Sequence, residues 1–489
     1  MSHPMPNGET KGTGSPLGVF ERVPDDVLSL IFETAHESGY YCAPSNELGG
    51  KLQAGPALES EATISHVCTL WRDLAYSLPK LWATFRFRRA ASTDGFVGEL
   101  ERLRLYLARS VDQDLDLVFN FYDMPKAPVL MDMLLLVPPH VHRLWRFVLH
   151  SDRTNFVVPF HKELTGVAAP RLEHFEVCTG KYHNIAEEGY DGEPRWDPKI
   201  LTLGPPNIKF LKLDAPASRR FRPQFNNLVH FALHPGRAIL RQQLLWVYFE
   251  QVISLPFIET ISIFYLVIAP PDPGRHLRTI EAKRLKHFRI GRTHNNLSPL
   301  LYLLPAREAN LSLQFPSLKS LYFIDVYVPR GLNGSPDLIS FWEALFAKTA
   351  TITHLCLSHS MIGSVNPEYR MSVVSIWGTI LSTGEKVGGR VPRDKGQLPW
   401  QNVRLLDVNH SEDVAEAFNC SIADLRPLGL WPNLATIRTP SGRYPPTFEP
   451  GNVQVEPLLR AAPDWPPDYP FPSSIPTNEF DWRLEIDTT

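Results

Sequence analysis

The chain has 489 residues, more than one compact core holds, so its length favours two or three domains or a stacked array of repeats. Hydrophobic residues make up 43% and charged residues 21%, which suffices for a continuous core, while 49 Lys and Arg against 52 Asp and Glu leave no net field to attract nucleic acid or an anionic membrane. Five scattered cysteines (Cys42, Cys68, Cys178, Cys356, Cys420), never in a Cys-x-x-Cys pair, argue against a disulfide framework or a zinc site and for a reducing compartment, cytoplasm or nucleus.

Residues 1–19 are polar and rich in Gly and Pro, with no apolar stretch of signal-peptide length, and are expected to be disordered and not to direct secretion. Pro24 followed by Asp25 and Asp26 is a helix start, with proline in the first turn and carboxylates beside the positive end of the dipole. Val27, Leu28, Ile31, Phe32 and Ala35 give that helix an apolar face, and Gly39 is its expected stop. The segment near 40–59 reads as an inserted loop. A second helix is predicted from about Glu59 to Leu78, with Ile64, Val67, Cys68, Trp71, Leu74, Ala75 and Leu78 as one stripe that Pro79 ends. Leu81 and Trp82 follow; Phe96, Leu100, Leu103 and Leu107 mark a third helix, and the alternation of Leu115, Leu117, Phe119 and Phe121 marks a half-buried strand.

Beyond this point one pattern recurs: apolar, two others, apolar, one other, apolar. Its copies are Leu144-Phe147-Leu149, Leu172-Phe175-Val177, Ile208-Leu211-Leu213, Leu228-Phe231-Leu233, Ile258-Ile261-Ile263, Leu285-Phe288-Ile290, Leu318-Leu321-Phe323, Ile352-Leu355-Leu357 and Val403-Leu406-Val408, with a weaker one at Leu434 and Ile437. Turns containing Pro170, Pro206, Pro316 and Pro432 precede several copies, and helical stretches at Leu240–Ser254, Leu338–Lys348, Tyr369–Leu381 and Asp413–Leu425 separate others. A helix-turn-strand unit cannot bury its own apolar faces, so units must stack, with parallel strands on a concave face and helices outside. This predicts an α/β fold with an irregular leucine-rich-repeat solenoid over 89–439. Gly180, Pro216, Gly236, Thr293, Ser360 and Ser411 stand where such repeats place an asparagine, so no asparagine ladder is expected. Residues 440–489 read as a proline-rich tail in which Phe480–Ile486 could dock as a cap.

The series Val23-Pro24-Asp25-Asp26-Val27-Leu28, Ile31-Phe32, then Val67-Cys68, Trp71-Arg72, Leu74-Ala75, Pro79 and Leu81-Trp82 resembles the F-box, which would span 20–88. With its split motif and Leu107-Ala108-Arg109-Ser110 behind, the chain is similar to the large F-box families of mushroom-forming fungi. The resemblance implies docking on a Skp-family adaptor, and through it a cullin, by Pro24, Leu28, Ile31, Phe32, Val67, Cys68, Trp71, Leu81 and Trp82. It implies a substrate-recognition adaptor of a ubiquitin ligase, with a protein substrate held by the solenoid; the alternative is a repeat scaffold without a ligase role.

His174, Phe210, His230, His287 and His354 precede the middle apolar residue of their copies, on the side expected to face solvent, and form a candidate substrate-recognition row. His140 and His142 lack the further ligands a metal needs. Phosphate-binding, nucleophile-elbow and zinc-protease motifs are absent. No catalytic residue, metal or cofactor is therefore expected, and neither nucleic acid nor membrane is an expected partner.

Overall fold

The structure, a computed structural model, describes residues 23–41, 60–87, 93–122, 124, 128–151, 154–179, 198–204, 206–214, 217–234, 242–244, 246–264, 266–268, 280–293, 313–326, 345–358, 400–409, 431–439 and 453–458. The expectations for 1–19, for the inserted loop from 42 on, for Tyr369–Leu381, Asp413–Leu425 and the Phe480–Ile486 cap lie outside these residues. The first elements are α1 (Asp25–Tyr41), α2 (Ser60–Ser65), α3 (Thr69–Ser77), β1 (Thr84–Arg86), α4 (Thr93–Arg109), β2 (Leu115–Phe121), α5 (Pro128–Leu135), β3 (Leu144–Ser151), α6 (Thr154–Glu163) and β4 (His174–Cys178). There follow β5 (Phe210–Asp214), α7 (Ala217–Arg220), β6 (His230–His234), β7 (Gln242–Leu244), α8 (Trp246–Ile253), β8 (Thr260–Phe264), β9 (Leu266–Ile268), β10 (Ile280–Glu281) and β11 (His287–Thr293). The last are β12 (Leu313–Gln314), β13 (Ser320–Val326), β14 (His354–Ser358), β15 (Leu405–Asn409), β16 (Thr436–Thr439) and β17 (Gln454–Pro457).

The α/β class holds. Thirteen strands form one open sheet, ordered β1-β2-β3-β4-β5-β6-β8-β11-β13-β14-β15-β16-β17, and every pairing from β3 to β17 is parallel. Two-stranded parallel ladders, β7 with β9 and β10 with β12, stand apart from it. No described helix is long and apolar enough to cross a membrane. The chain divides into two compact units: residues 1–86 with 97–116, and 87–96 with 117–489. The helix α4 from 97 on falls in the first of these units.

In the first unit the long second helix of the sequence reading is two helices. His66 and Val67 turn their N–H groups back to Thr63 O and Ile64 O, and Cys68 is extended (φ −158°, ψ 175°), so the α-helical ladder stops and restarts. Cys68 then N-caps α3, its Sγ accepting from Trp71 N at 3.5 Å, and the Arg72 Nε–H donates to Ser65 O at 3.0 Å across the corner. The core gathers Leu28 and Phe32 from α1, Ile64, Ala75, Leu81, Trp82, Phe85 and, from α4, Leu100, Leu103, Tyr106 and Leu107. Rings meet edge to face at Trp82–Tyr106 (5.2 Å) and Phe85–Tyr106 (5.6 Å), and the Trp82 indole N–H donates to Ala75 O at 2.8 Å. Glu61, a buried carboxylate, accepts from the Tyr106 hydroxyl and faces His36 Nδ1 at 3.4 Å. The helix α1 runs past Gly39 to Tyr41.

In the second unit the repeating triplets are strands in register. The middle residues Phe147, Phe175, Leu211, Phe231, Ile261, Phe288, Leu321, Leu355, Leu406 and Ile437 are successive Cα partners, all buried in one column. Just before the strands a backbone relay links one copy to the next. N–H groups of Glu173, Lys209, Val229, Glu259, Lys286, Lys319, Thr353, Arg404 and Ala435 each donate to the corresponding carbonyl one strand back. The first apolar residue of most copies closes a turn, as Leu172 N to Ala169 O, Leu318 N to Phe315 O and Leu434 N to Trp431 O. Pro170, Pro316 and Pro432 occupy the second position of those turns, where proline's φ is already correct.

One face of this sheet carries the apolar column and the helices: Phe160 of α6 stacks against Phe147 at 5.4 Å and close to Phe221, while Trp400 lies between Phe323 (6.2 Å) and Phe346 (4.7 Å). The stretch Leu240–Ser254, expected to be one helix, is a strand, β7, followed by α8. Gln242–Leu244 finds a parallel partner in Leu266–Ile268, and that pairing overrides its helical period. The apolar run from Ile261 is divided between β8 and β9. Of the helical stretch at Leu338–Lys348, residues 345–348 are described and are helical.

Candidate functional site

Two surfaces carry the residues that the sequence singles out. On the helical unit, α1 has two stripes. Leu28 and Phe32 face the core, whereas Val27, Leu30 and Ile31, at i, i+3 and i+4, face outward, Leu30 being 66% and Ile31 50% exposed. Val67 (54%) and Leu70 are exposed around the α2–α3 corner; the break at Cys68 turns Val67 out of the stripe it would share with Trp71 in a continuous helix.

Of the nine side chains assigned to adaptor docking, Pro24, Ile31 and Val67 are therefore open and Cys68 and Trp71 half-buried. Leu28, Phe32, Leu81 and Trp82 are at most 3% exposed and hold the unit together rather than offer area to a partner. Trp71 itself packs on Phe32, ring centroids 4.9 Å apart. Leu30 and Leu70, which the sequence reading passed over, are open; the signal for Leu30 was the second stripe at helical spacing beside the first, whereas Leu70 lies on no such stripe. Lys80 bridges Glu33 (3.2 Å) and Glu37 (2.8 Å) at the same unit's surface.

On the sheet, the proposed row does line up: His174, Phe210, His230, Thr260, His287, Ser320 and His354 are consecutive Cα partners. It does not face solvent as expected. His174 and Phe210 are buried, stacked at 4.1 Å and 12°, and His230, His287 and His354 are half-buried. His230 Nδ1 lies 3.0 Å from Thr260 Oγ1, and burial pushes its pKa down to about 4, so the ring is neutral near pH 7.

The next row on this face, two residues further along each strand, was read only as a spacer. It holds Glu176, Lys212, Ala232, Ser262, Arg289, Tyr322, Cys356, Asp407 and Arg438. Charged residues at this one place in five of the copies, Glu176, Lys212, Arg289, Asp407 and Arg438, were the available signal. Two polar clusters result. In one, Glu176 is fully enclosed, with Lys212 Nζ at 2.6 Å, His150 Nε2 at 2.7 Å and His174 Nε2 at 3.5 Å. Burial alone would raise its carboxyl, but Lys212 and the imidazoles outweigh this and hold it well below the usual range.

In the other cluster, Asp407 accepts from His354 Nε2 (2.8 Å) and from Arg438 Nε and an Nη (2.6 and 2.7 Å). Burial raises the Asp407 carboxyl and these hydrogen bonds more than reverse it. Ser320 Oγ at 3.5 Å and Tyr322 Oη at 3.3 Å share the remaining imidazole nitrogen of His354. Ser320, His354 and Asp407 thus set hydroxyl, imidazole and carboxylate in line, but the hydroxyl contact is longer than the roughly 2.6–3.2 Å of an activated nucleophile. Arg289 donates to Ser262 Oγ at 2.9 Å, and burial pushes its guanidinium down to about 9. Burial drives the Cys356 thiol well up, which makes it a packed side chain.

His140 and His142 sit in a 3-10 turn, Pro138–Arg143. His140 Nδ1 is 3.3 Å from Arg143 Nη2. Compared with known protein families and with curated proteins, the chain matches no family model and no curated relative.

Proposed function

We propose that the chain is a non-catalytic substrate-recognition adaptor of a Skp-cullin-F-box type ubiquitin ligase, with an F-box as its first unit and an irregular leucine-rich-repeat solenoid as its second. The observation that carries this reading is the outward apolar set Val27, Leu30, Ile31, Val67 and Leu70 on a small helical unit that already has a complete core of its own. Large apolar side chains grouped on helix surfaces mark interaction sites, and these lie within the segments that resemble the F-box. The in-register parallel strands supply the rigid second half that such an adaptor uses to hold a protein near the ubiquitin-charged enzyme, where proximity raises the effective concentration of its lysines. Cytoplasm or nucleus is the compartment this role requires.

The test is co-expression with a Skp-family adaptor followed by size-exclusion chromatography. Trp71→Ala is a poor probe, since it also removes the Phe32 contact and weakens the fold. Ile31→Glu and Val67→Glu alter exposed positions and leave the core intact. A stoichiometric complex with the wild type, weakened by about 2 kcal/mol or more in each variant, is the expected result. A well-folded wild type that elutes free would leave the scaffold without a ligase role as the better reading; a cullin pulldown separates the two further.

A further inference from the structure

The paired strands β3 and β4 bring together three side chains with metal-binding chemistry. His150 and Cys178 are direct Cα partners, and Glu176, two residues before Cys178, shares their face of the sheet. One donor atom from each, an imidazole nitrogen, a carboxylate oxygen and a thiol sulfur, all lie within 4.8 Å of one another, and all three residues are buried. His150 faces Glu176 through Nε2, 2.7 Å from Glu176 Oε1, so Nε2 is the nitrogen on the side of the cluster.

We propose that His150, Glu176 and Cys178 form a binding site for a thiophilic divalent cation of the Zn2+ class. One nitrogen, one oxygen and one sulfur suit an ion of borderline softness, and the sulfur and imidazole exclude Mg2+ and Ca2+ as the natural occupants. Bonds of about 2.0 Å to nitrogen and oxygen and about 2.3 Å to sulfur require the three donors to draw in by an ångström or less, with water as the fourth ligand. His174, at 3.5 Å from the other Glu176 oxygen, orients the carboxylate from behind.

Lys212 is the ion's competitor. Its ammonium sits 2.6 Å from Glu176 Oε1 and its side chain is 13% exposed, so the head can swing to water while the stem stays packed. Binding therefore exchanges one cation for another: the ion takes the carboxylate, Lys212 withdraws, and the Cys178 thiol gives its proton to solvent as the sulfur–metal bond forms. Because a proton is released, affinity rises with pH.

The experiment uses the full chain, stripped with a chelator, desalted and titrated with Co2+. One equivalent should bind with a thiolate-to-cobalt absorption in the near ultraviolet that equimolar Zn2+ abolishes. Cys178→Ser, with unchanged circular dichroism, should lose the band, and Lys212→Met should bind Co2+ about tenfold more tightly, as removal of a like charge at this range implies. X-ray absorption of the Zn2+-loaded wild type, which depends on no variant folding, should show one sulfur with nitrogen and oxygen neighbours. A folded wild type without the band, a band that survives Cys178→Ser, weaker binding by Lys212→Met, or a zinc environment with no sulfur or with two would each overturn the site.

Discussion

Asp407→Asn keeps the size of a fully buried side chain and removes the charge that His354 and Arg438 both address. Breaking a buried ion pair from one side costs about 3–5 kcal/mol, because the remaining ion stays desolvated without its partner. The Arg438 side chain is 30% exposed and can recover some water, which places the expected loss at the lower end, about 3 kcal/mol. Urea unfolding followed by tryptophan emission reads this directly, since Trp400 and Trp431 are buried in turns just before β15 and β16. Replacing both partners, Asp407→Leu with Arg438→Met, should cost less than Asp407→Leu alone, for then no unpaired guanidinium remains. As a contrast, Lys209→Ala breaks only the exposed contact with Glu173 and should cost about 1 kcal/mol at most. An Asp407→Asn protein whose transition lies within about 0.5 kcal/mol of the wild type would show that the cluster is not a structural anchor.

The half-buried His230 makes stability fall with acid. Its folded pKa lies below the unfolded value of about 6.5, so the unfolded chain takes up a proton first, and up to about 3 kcal/mol present above pH 6.5 is lost as pH falls toward 4. His230→Gln should flatten that part of the stability-pH curve, and an unchanged slope would contradict the assignment. Asp407 and Glu176 act lower: their depressed carboxyls stabilise fully above the unfolded value of about 4 and lose this only as pH drops further, so a second acid limb should follow. At the N-cap of α3, Cys68→Ser exchanges a weak sulfur acceptor for an oxygen and should raise the stability of the helical unit by about 0.5–1 kcal/mol, measurable as a higher melting temperature. Leu211→Ala, in the middle of the buried column, should cost about 2–5 kcal/mol by urea unfolding; a smaller loss would mean the strands close over the gap.

The sequence by itself determined the repeated strands: each apolar triplet has a period tied to one strand, and a buried register tolerates no slip because a one-residue shift turns every side chain to the other face. It also determined α1 and α4, whose stripes are long enough to bury. What the tertiary structure decided is what those patterns encounter. The stripe from Ile64 to Leu78 is continuous on paper and broken at Cys68 in space, so Val67 points out while Ala75 points in. Gln242–Leu244 became a strand because β9 offered it backbone partners. The histidine row was legible as a row but not as buried, since burial of the second face depends on neighbours from other repeats that no local period reveals. The donors His150, Glu176 and Cys178 illustrate the same limit: 26 residues separate His150 from Glu176 in the chain, and only the pairing of β3 with β4 puts them 2.7 Å apart.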